Sequence, residues 1–386
     1  MKKLNKNNWE LAYLGEYVDH IEINERNPEK RKDAKYVSVE HTSILDLRIN
    51  GVAPEEQPSF NRTFKTGQIL FAKRWAISTP YPSKLAVADF DGICSPHLWA
   101  LETKNGLHQS LLPFILQTNS FFEHANKNSA GSLAGVYLKW EPFSQYKFKL
   151  PPTIEQKQIT ELFESLVTAI EQLEGQEKNL KSLQKLLVNG LLSKEPEFGN
   201  LLNSKNSKPT IFGEIAECDK KYPEHEKEVE RFVGLEFLKA DDFQLQGWGE
   251  IADGTTFSKR FVKGDVLFGK RRAYLKKVAV ADFDGICSGD ILVIRAKAKK
   301  MLQGLLPYYI SSDAFIQHAV STSAGSLSPR TKWKDLAELE VSIPDIKTQE
   351  TILEVLQQLD TTVNQLKQQK TALKNLKQKL LNEILG

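Results

Sequence analysis

Asp91, Glu102 and Lys104 stand at roughly the spacing of a metal-dependent nuclease, where carboxylates hold Mg2+ and a lysine supports the nucleophile. An amino-methyltransferase would need a glycine-rich cofactor loop and an Asn-Pro-Pro-aromatic motif at a flipped base. The sequence offers only Asn27-Pro28, which runs on into Glu29-Lys30, and this argues against self-contained methylation. Cys94, Cys218 and Cys287 are too far apart for a disulfide framework or a metal knuckle. Basic residues carry a different chemistry. Lys73-Arg74 and Lys270-Arg271-Arg272 each follow a short apolar run; arginine can take guanine bidentately in the major groove, and either residue type can hold phosphate. A solvated strand end is the plainer reading of both.

An internal repeat tests these candidates. AVADFDGIC occurs at 86–94 and again, identical, at 279–287. The stretch at 111–133 matches 305–327 without a gap, 66–74 matches 263–271, 35–41 answers 231–237, and 150–159 matches 343–352. Five matches in one order make a duplicated module, each half far longer than a solenoid unit. Asp284 answers Asp91, but Arg295 stands opposite Glu102, so a second metal site would lack a ligand. The Asp-Gly pairs at 91–92 and 284–285 read instead as hairpin turns. His124 matches His318 with no nucleophile or acid repeating beside them, which points to structural histidines; Cys94 and Cys287 read as buried small residues on strands.

The elements that would position these residues follow from periodicity. QILFAKR, KLAVADF and DILVIRA read as strands, and 111–126 and 305–319 as helices of about four turns, giving a mixed α+β domain. Beyond each proline-containing junction, Ile159, Leu166, Leu173, Leu180 and Leu187 fall seven apart, as do Ile352, Leu359, Leu366, Leu373 and Leu380. A secondary apolar set comprises Leu162, Phe163, Ile170, Leu183 and Leu191 in the first helix and Val355, Leu356, Val363, Leu376 and Ile384 in the second. Five heptads with an apolar seam make a coiled-coil helix of roughly 50–60 Å. The expected architecture is a first domain over 1–150, a helix and linker over 151–200, a second domain over 201–342 and a helix over 343–386. The two helices are expected to pair antiparallel within the chain, relating the halves by a pseudo-two-fold axis.

Composition sets limits. Of 386 residues, 40% are hydrophobic and 26% charged, so large cores can form and wholesale disorder is excluded. No apolar run is long enough for a transmembrane helix, and the lysine-led N-terminus lacks the apolar stretch of a signal peptide. A reducing, cytoplasmic compartment fits. The net charge of +3 is too small to mark a nucleic-acid binder by itself.

A globular domain, a proline-then-Glu-Gln junction, a long heptad helix, and all of it again resembles the specificity subunit of type I restriction–modification systems. The matching features are the Gly-x-(Ile/Val)-Leu-Phe strand, the Ser-Ala-Gly-Ser-Leu loop and Pro151-Pro152-x-x-Glu155-Gln156, with Pro344 and Gln349 as the second copy and Thr348-Gln349 replacing Glu-Gln. The resemblance covers essentially the whole chain. It implies two target-recognition domains, each reading half of a bipartite site in double-stranded DNA. The helices would space them and dock two adenine methyltransferase subunits, and motor-nuclease subunits would complete the complex. It further implies a subunit without catalysis or cofactor of its own, whose partners use S-adenosylmethionine, ATP and Mg2+. A structural adaptor binding proteins through two similar domains is the alternative.

The candidate DNA contacts are Lys73, Arg74, Lys84 and Lys139 in the first half, and Lys270, Arg271, Arg272, Lys276, Lys277, Arg330 and Lys332 in the second. The loop at 75–85 is longer than its counterpart at 272–278, as two readers of different half-sites would require. The loops 126–140 and 320–333 offer small residues and backbone N–H groups to phosphate, though Ser-Ala-Gly-Ser also suits a plain helix stop. Arg48, Arg62 and Arg260, in divergent loops, are further candidates.

Overall fold

The computed structural model describes residues 6–43, 47–75, 84–132, 135–192, 198, 201–202, 206–219, 229–240 and 242–386. The chain forms two compact units, one of Met1–Gly175 with Lys367–Gly386 and one of Gln176–Leu366. Each globular part keeps its own sheets, and each unit takes a share of both long helices.

The central strand of the first unit, Ile69–Ala72, is buried along its whole length. Side chains alternate across a strand, so four consecutive apolar residues need a core on both faces. Ile69 and Phe71 enter a large core shared with the helices, while Leu70 and Ala72 enter a smaller one with Val37, Phe64 and Cys94. This strand belongs to an antiparallel sheet in the order Val18–Ile21, Leu98–Thr103, Ile69–Ala72, Leu85–Val87. Across the small core lies a mixed sheet of Tyr36–Val37, Gly92–Cys94 and Arg62–Phe64. The second unit repeats the plan: Ala216–Cys218, Ile291–Ala296, Val266–Gly269 and Val278–Val280 form the antiparallel sheet in that order. Val266 and Phe268 face one core and Leu267 the other.

Two local expectations change in three dimensions, and a third, for the histidines, is met. The Asp-Gly pairs are corners where the chain leaves one sheet for the other, because Leu85–Val87 and Gly92–Cys94 belong to different sheets. A hairpin would have paired them. Gly92 is required at its corner, since a Cβ there would lie 2.6 Å from both the Lys35 carbonyl and the Phe64 ring. The expected helix over 111–126 is broken into Leu112–Ile115 and Asn119–Lys127, because Thr118 turns extended and caps the second piece through the Phe121 N–H. Ser312 does the same before Asp313–Ser321. The histidines are structural: His124 Nε2 meets the Pro142 carbonyl at 2.6 Å, and His318 Nε2 meets that of Asp335 at 2.7 Å.

Each long helix has 39 residues, Thr153–Leu191 and Ile346–Ile384, about 58 Å at 1.5 Å per residue. In the first unit Ile159 and Phe163 share a core with Leu381, Ile384 and Leu385, and Glu174 accepts a hydrogen bond from Lys374 at 2.8 Å. In the second, Val188 and Leu191 meet Ile352 and Leu356, and Gln184 donates to Asp360 at 2.6 Å. Within each unit the pairing is antiparallel. The expected seam is only partly buried: Ile159 and Ile352 are covered, but Leu166, Leu173, Leu180, Leu187, Leu359, Leu366, Leu373 and Leu380 are half-buried. Burial falls on Phe163, Ile170, Leu191, Leu356, Val363 and Ile384 from the secondary set, whereas Leu162 is half-buried and Leu183, Val355 and Leu376 are exposed. The cause is that the helices also pack against the globular domain, as Phe163 does against Phe114.

Two glutamines fix the starts of these helices. Gln156, 1% exposed, accepts from the His108 N–H at 2.9 Å and donates to the carbonyls of Gly106 and Pro151 at 3.1 and 3.0 Å. Gln349 makes the same three bonds to Leu302, Lys300 and Pro344, each 3.0 Å. Glu155 takes the Trp9 indole N–H at 2.9 Å. The helix ends are held as well: Asn382 caps the Asn119–Lys127 helix through the Asn119 N–H, and Asn189 caps Asp313–Ser321 through the Asp313 N–H, each at 2.8 Å.

Candidate nucleic-acid interface

The buried strand Ile69–Ala72 delivers Lys73 and Arg74 to its end, and a second segment joins them there. Leu138 N–H donates to the Lys73 carbonyl at 2.8 Å, while Arg74 pairs with Tyr137 and Trp75 with Val136. Gly135–Tyr137 in turn pairs with Ala130–Ser132. The strand end and the Ser-Ala-Gly-Ser loop thus form one three-stranded ribbon. The two strands approach closely: Gly131 has φ 149°, and a Cβ there would lie 2.3 Å from the Gly135 carbonyl. In the second unit Arg271 bridges to Arg330, Arg330 to Ala324, and Arg272 N–H donates to the Pro329 carbonyl. The two sequence features that stood apart become neighbours in both units.

Of the candidate residues in the first unit, Arg74 and Lys139 are exposed at this ribbon. Lys73 is half-buried over the Trp99 ring at 5.7 Å; burial, then the nearby Arg62, pull its ammonium below the ordinary lysine range. In the second unit Arg272 and Lys332 are exposed and Lys270 is half-buried. Arg330 holds Asp290 through Nε at 2.6 Å and Nη2 at 3.0 Å. Arg271 approaches the same carboxylate at 3.7 Å and donates to Ser328 Oγ at 3.1 Å. Three lysines turn elsewhere. Lys84 lines a cleft with Glu171 and Glu174 of the long helix, Lys276 pairs with Asp313, and Lys277 donates to the Leu235 carbonyl at 2.6 Å. Most of the divergent loop at 75–85 lies outside the described residues.

The remaining arginines are engaged within the fold. Arg48 pairs with Glu171, Arg62 with Glu22 at 2.6 Å, and Arg260 lies 3.9 Å from Asp284.

The nuclease-like residues do not converge. Asp91 accepts from Lys65 Nζ at 2.7 Å, the Thr66 N–H at 2.8 Å and the Thr66 hydroxyl at 3.0 Å, and these bonds, Lys65 first, hold its carboxyl down to about 2. Asp284 likewise accepts the Lys263 N–H at 2.8 Å. Glu102 accepts from Gln68 at 3.3 Å, and in the second unit the pair returns as Arg295 on Asp265 at 2.6 Å. Lys104 binds Asp19 at 2.6 Å. Among the described residues no group of three or more His, Cys, Asp or Glu is placed to hold a metal ion. Cys94 and Cys287 are buried on strands, which pushes both thiols up to about 12.

Sequence reasoning missed Asp290 and the exposed Tyr137 beside the ribbon. The repeat carried a signal for the first, because Asp290 stands opposite His97 two residues beyond the identical segment that ends at Ser95 and Ser288.

Comparison with known proteins agrees with this duplicated plan. The chain matches the type I restriction modification DNA specificity domain over residues 8–182 and again over 212–375. It is 25% identical over 299 residues to the Escherichia coli type I restriction enzyme EcoDI specificity subunit, covering 66% of this chain and 65% of that one; the match thus spans just under two thirds of the relative. The crystal structure of a type I restriction–modification S subunit from M. genitalium superposes with a TM-score of 0.59 at 15% identity, covering 100% of this chain and 98% of that one. A chain from a study of complex assembly and conformational transition of the type I system gives 0.55 at 18% identity, with 97% of each covered. With two matched copies spread over most of its length, the chain belongs to the specificity-subunit family of type I restriction–modification systems.

Proposed function

We propose that each globular domain reads one half of a bipartite site in double-stranded DNA, with the strand-end ribbon as its contact surface. The observation that carries this reading is the recurrence of one ribbon at one strand end in both domains, each bearing an exposed arginine and an exposed lysine. Arg74 and Lys139 stand in the first, Arg272 and Lys332 in the second. A common basic scaffold with loops of unlike length and sequence is what two readers of unlike half-sites require. The long helices present docking surface for two adenine methyltransferase subunits, which extrude the target base, and motor-nuclease subunits join them. S-adenosylmethionine, ATP and Mg2+ belong to those partners, and the chain performs no chemistry of its own. The assembly works in the cytoplasm; among the described residues no helix is long and apolar enough to cross a membrane.

The test is Arg74→Ala with Lys139→Ala in the full chain, measured by duplex binding across a salt series. Two lost phosphate contacts should flatten the slope of log K against log salt by about 2. Any base preference that is lost when methylated sites are mapped should fall in the first domain's half-site alone. Unchanged affinity and slope would refute the ribbon as the contact surface, and binding to protein partners without salt-sensitive duplex binding would favour an adaptor.

A further inference from the structure

The side chain of Arg330 is held in a way that a phosphate contact does not need. Its Nε and Nη2 both donate to Asp290, at 2.6 and 3.0 Å to the two carboxylate oxygens, so the side edge of the guanidinium is fully engaged. The end edge, carrying the second Nη2 proton and the Nη1 protons, has one long contact, Nη1 to the Ser328 carbonyl at 3.4 Å. Arg330 is 46% exposed while Asp290 is 20% exposed, so the carboxylate is the sheltered support and the arginine tip faces outward. The support is itself fixed. The Asp290 N–H donates to Ser288 Oγ at 3.2 Å, and its carbonyl accepts the Lys270 N–H at 2.9 Å. The Arg330 backbone exchanges hydrogen bonds with Ala324, at 2.9 and 3.0 Å.

A guanidinium locked along one edge presents two parallel N–H donors along the other. Guanine offers the matching pair of acceptors, N7 and O6, in the major groove; a phosphate can be held by a mobile cation and gains little from such support. Fixing the fork in advance also removes the rotamer entropy that a free arginine would lose on binding. We propose that Arg330, oriented by Asp290, reads a guanine in the half-site of the second domain. Asp290 is then a positioning residue, acting through Arg330, with Arg271 at 3.7 Å as a further charge on the same carboxylate.

The first domain lacks this device. By the repeat, Tyr137 stands where Arg330 does, Arg74 where Arg271 does, and His97 where Asp290 does. No carboxylate occupies the supporting position there. The two domains therefore read their bases with different chemistry at the same place on the same scaffold.

This inference rests on the DNA-reading function proposed above. The full chain, co-expressed with its methyltransferase partner, is first used to map methylated sites and so define the wild-type target. Duplexes carrying that target are then made with 7-deazaguanine, which lacks the N7 acceptor, at each guanine of the second half-site in turn. Wild type should lose about ten-fold or more in affinity at one guanine, and Arg330→Ala should be indifferent to the replacement there. Arg330→Lys keeps the charge and should still lose selectivity at that base pair. Asp290→Asn should relax the same base pair while leaving the first half-site and thermal stability unchanged. If the Arg330 variants weaken binding evenly across all sequences with every base preference intact, Arg330 is a phosphate contact and the inference is overturned, while the DNA-reading function stands. If wild type shows no site preference on duplex DNA, the proposed function itself fails, and this inference with it.

Discussion

Replacing Gln156 with Leu tests how the recognition domain is joined to its helix. The side chain is 1% exposed and makes three hydrogen bonds, one as acceptor from His108 and two as donor to Gly106 and Pro151. Leucine fills a similar volume but leaves one N–H and two carbonyls without a partner. Each buried polar group so stranded costs about 1–3 kcal/mol. The Pro151 bond is fully buried, whereas Gly106 and His108 lie nearer the surface and regain water in part, so the low end applies to them. With a mid-range cost for Pro151, the sum is about 4 kcal/mol, equivalent to lowering the unfolding midpoint of a unit this size by about 8–16 °C.

Gln156→Glu should do no better. It keeps an acceptor for His108 but turns a carboxylate toward two carbonyl oxygens. The assay is urea unfolding followed by circular dichroism, with amide hydrogen exchange at His108 as the local readout. Gln158→Leu, at an exposed position on the opposite face of the helix, is the control and should stay within about 0.5 kcal/mol of wild type. A Gln156→Leu cost no larger than the control, with the His108 amide still protected, would refute the clamp.

Two further expectations concern the helices and their docking. Phe163→Ala should cost about 3–5 kcal/mol and Leu173→Ala markedly less, because the first is fully buried against Phe114 and the second half-buried; equal costs in chemical unfolding would restore the simple heptad seam. Asp313 is held below the ordinary carboxylate range, chiefly by its hydrogen bond from Lys276, with burial opposing and Asn189 assisting. As pH falls below about 4, the unfolded chain takes up this proton before the folded one does. The stabilisation is therefore complete above that pH and is lost on descending through the lower folded-state value. The stability gap between wild type and Asp313→Asn should be constant from neutral pH down to about 5 and shrink below about 4. A gap that persists to about pH 3 would show that the ion pair is not its source.

Much of this protein is determined by residues read along the chain. Identical or matching segments at five places establish two copies of one domain, because local sequence similarity needs no knowledge of what packs where. Thirty-nine-residue helices follow from unbroken heptads free of internal proline, and burial of the strand ILFA on both faces follows from four consecutive apolar residues. The basic strand ends are equally legible. What tertiary structure decided is which of these features meet. Heptad spacing places Leu173 and Ile170 on neighbouring stripes of one helix, and only the packing of a globular domain beside the partner helix makes Ile170 the buried one. Asp91-Gly92 suits a hairpin or a corner equally, and the strand that follows chose the corner by pairing in another sheet. Arg330 and Asp290 lie forty residues apart, joined by backbone bonds from the strand end to the loop; no periodicity links residues whose proximity is created by sheet pairing. Side-chain chemistry is written locally, but the edge of a guanidinium left open for a ligand is set by the partner that the fold brings to its other edge.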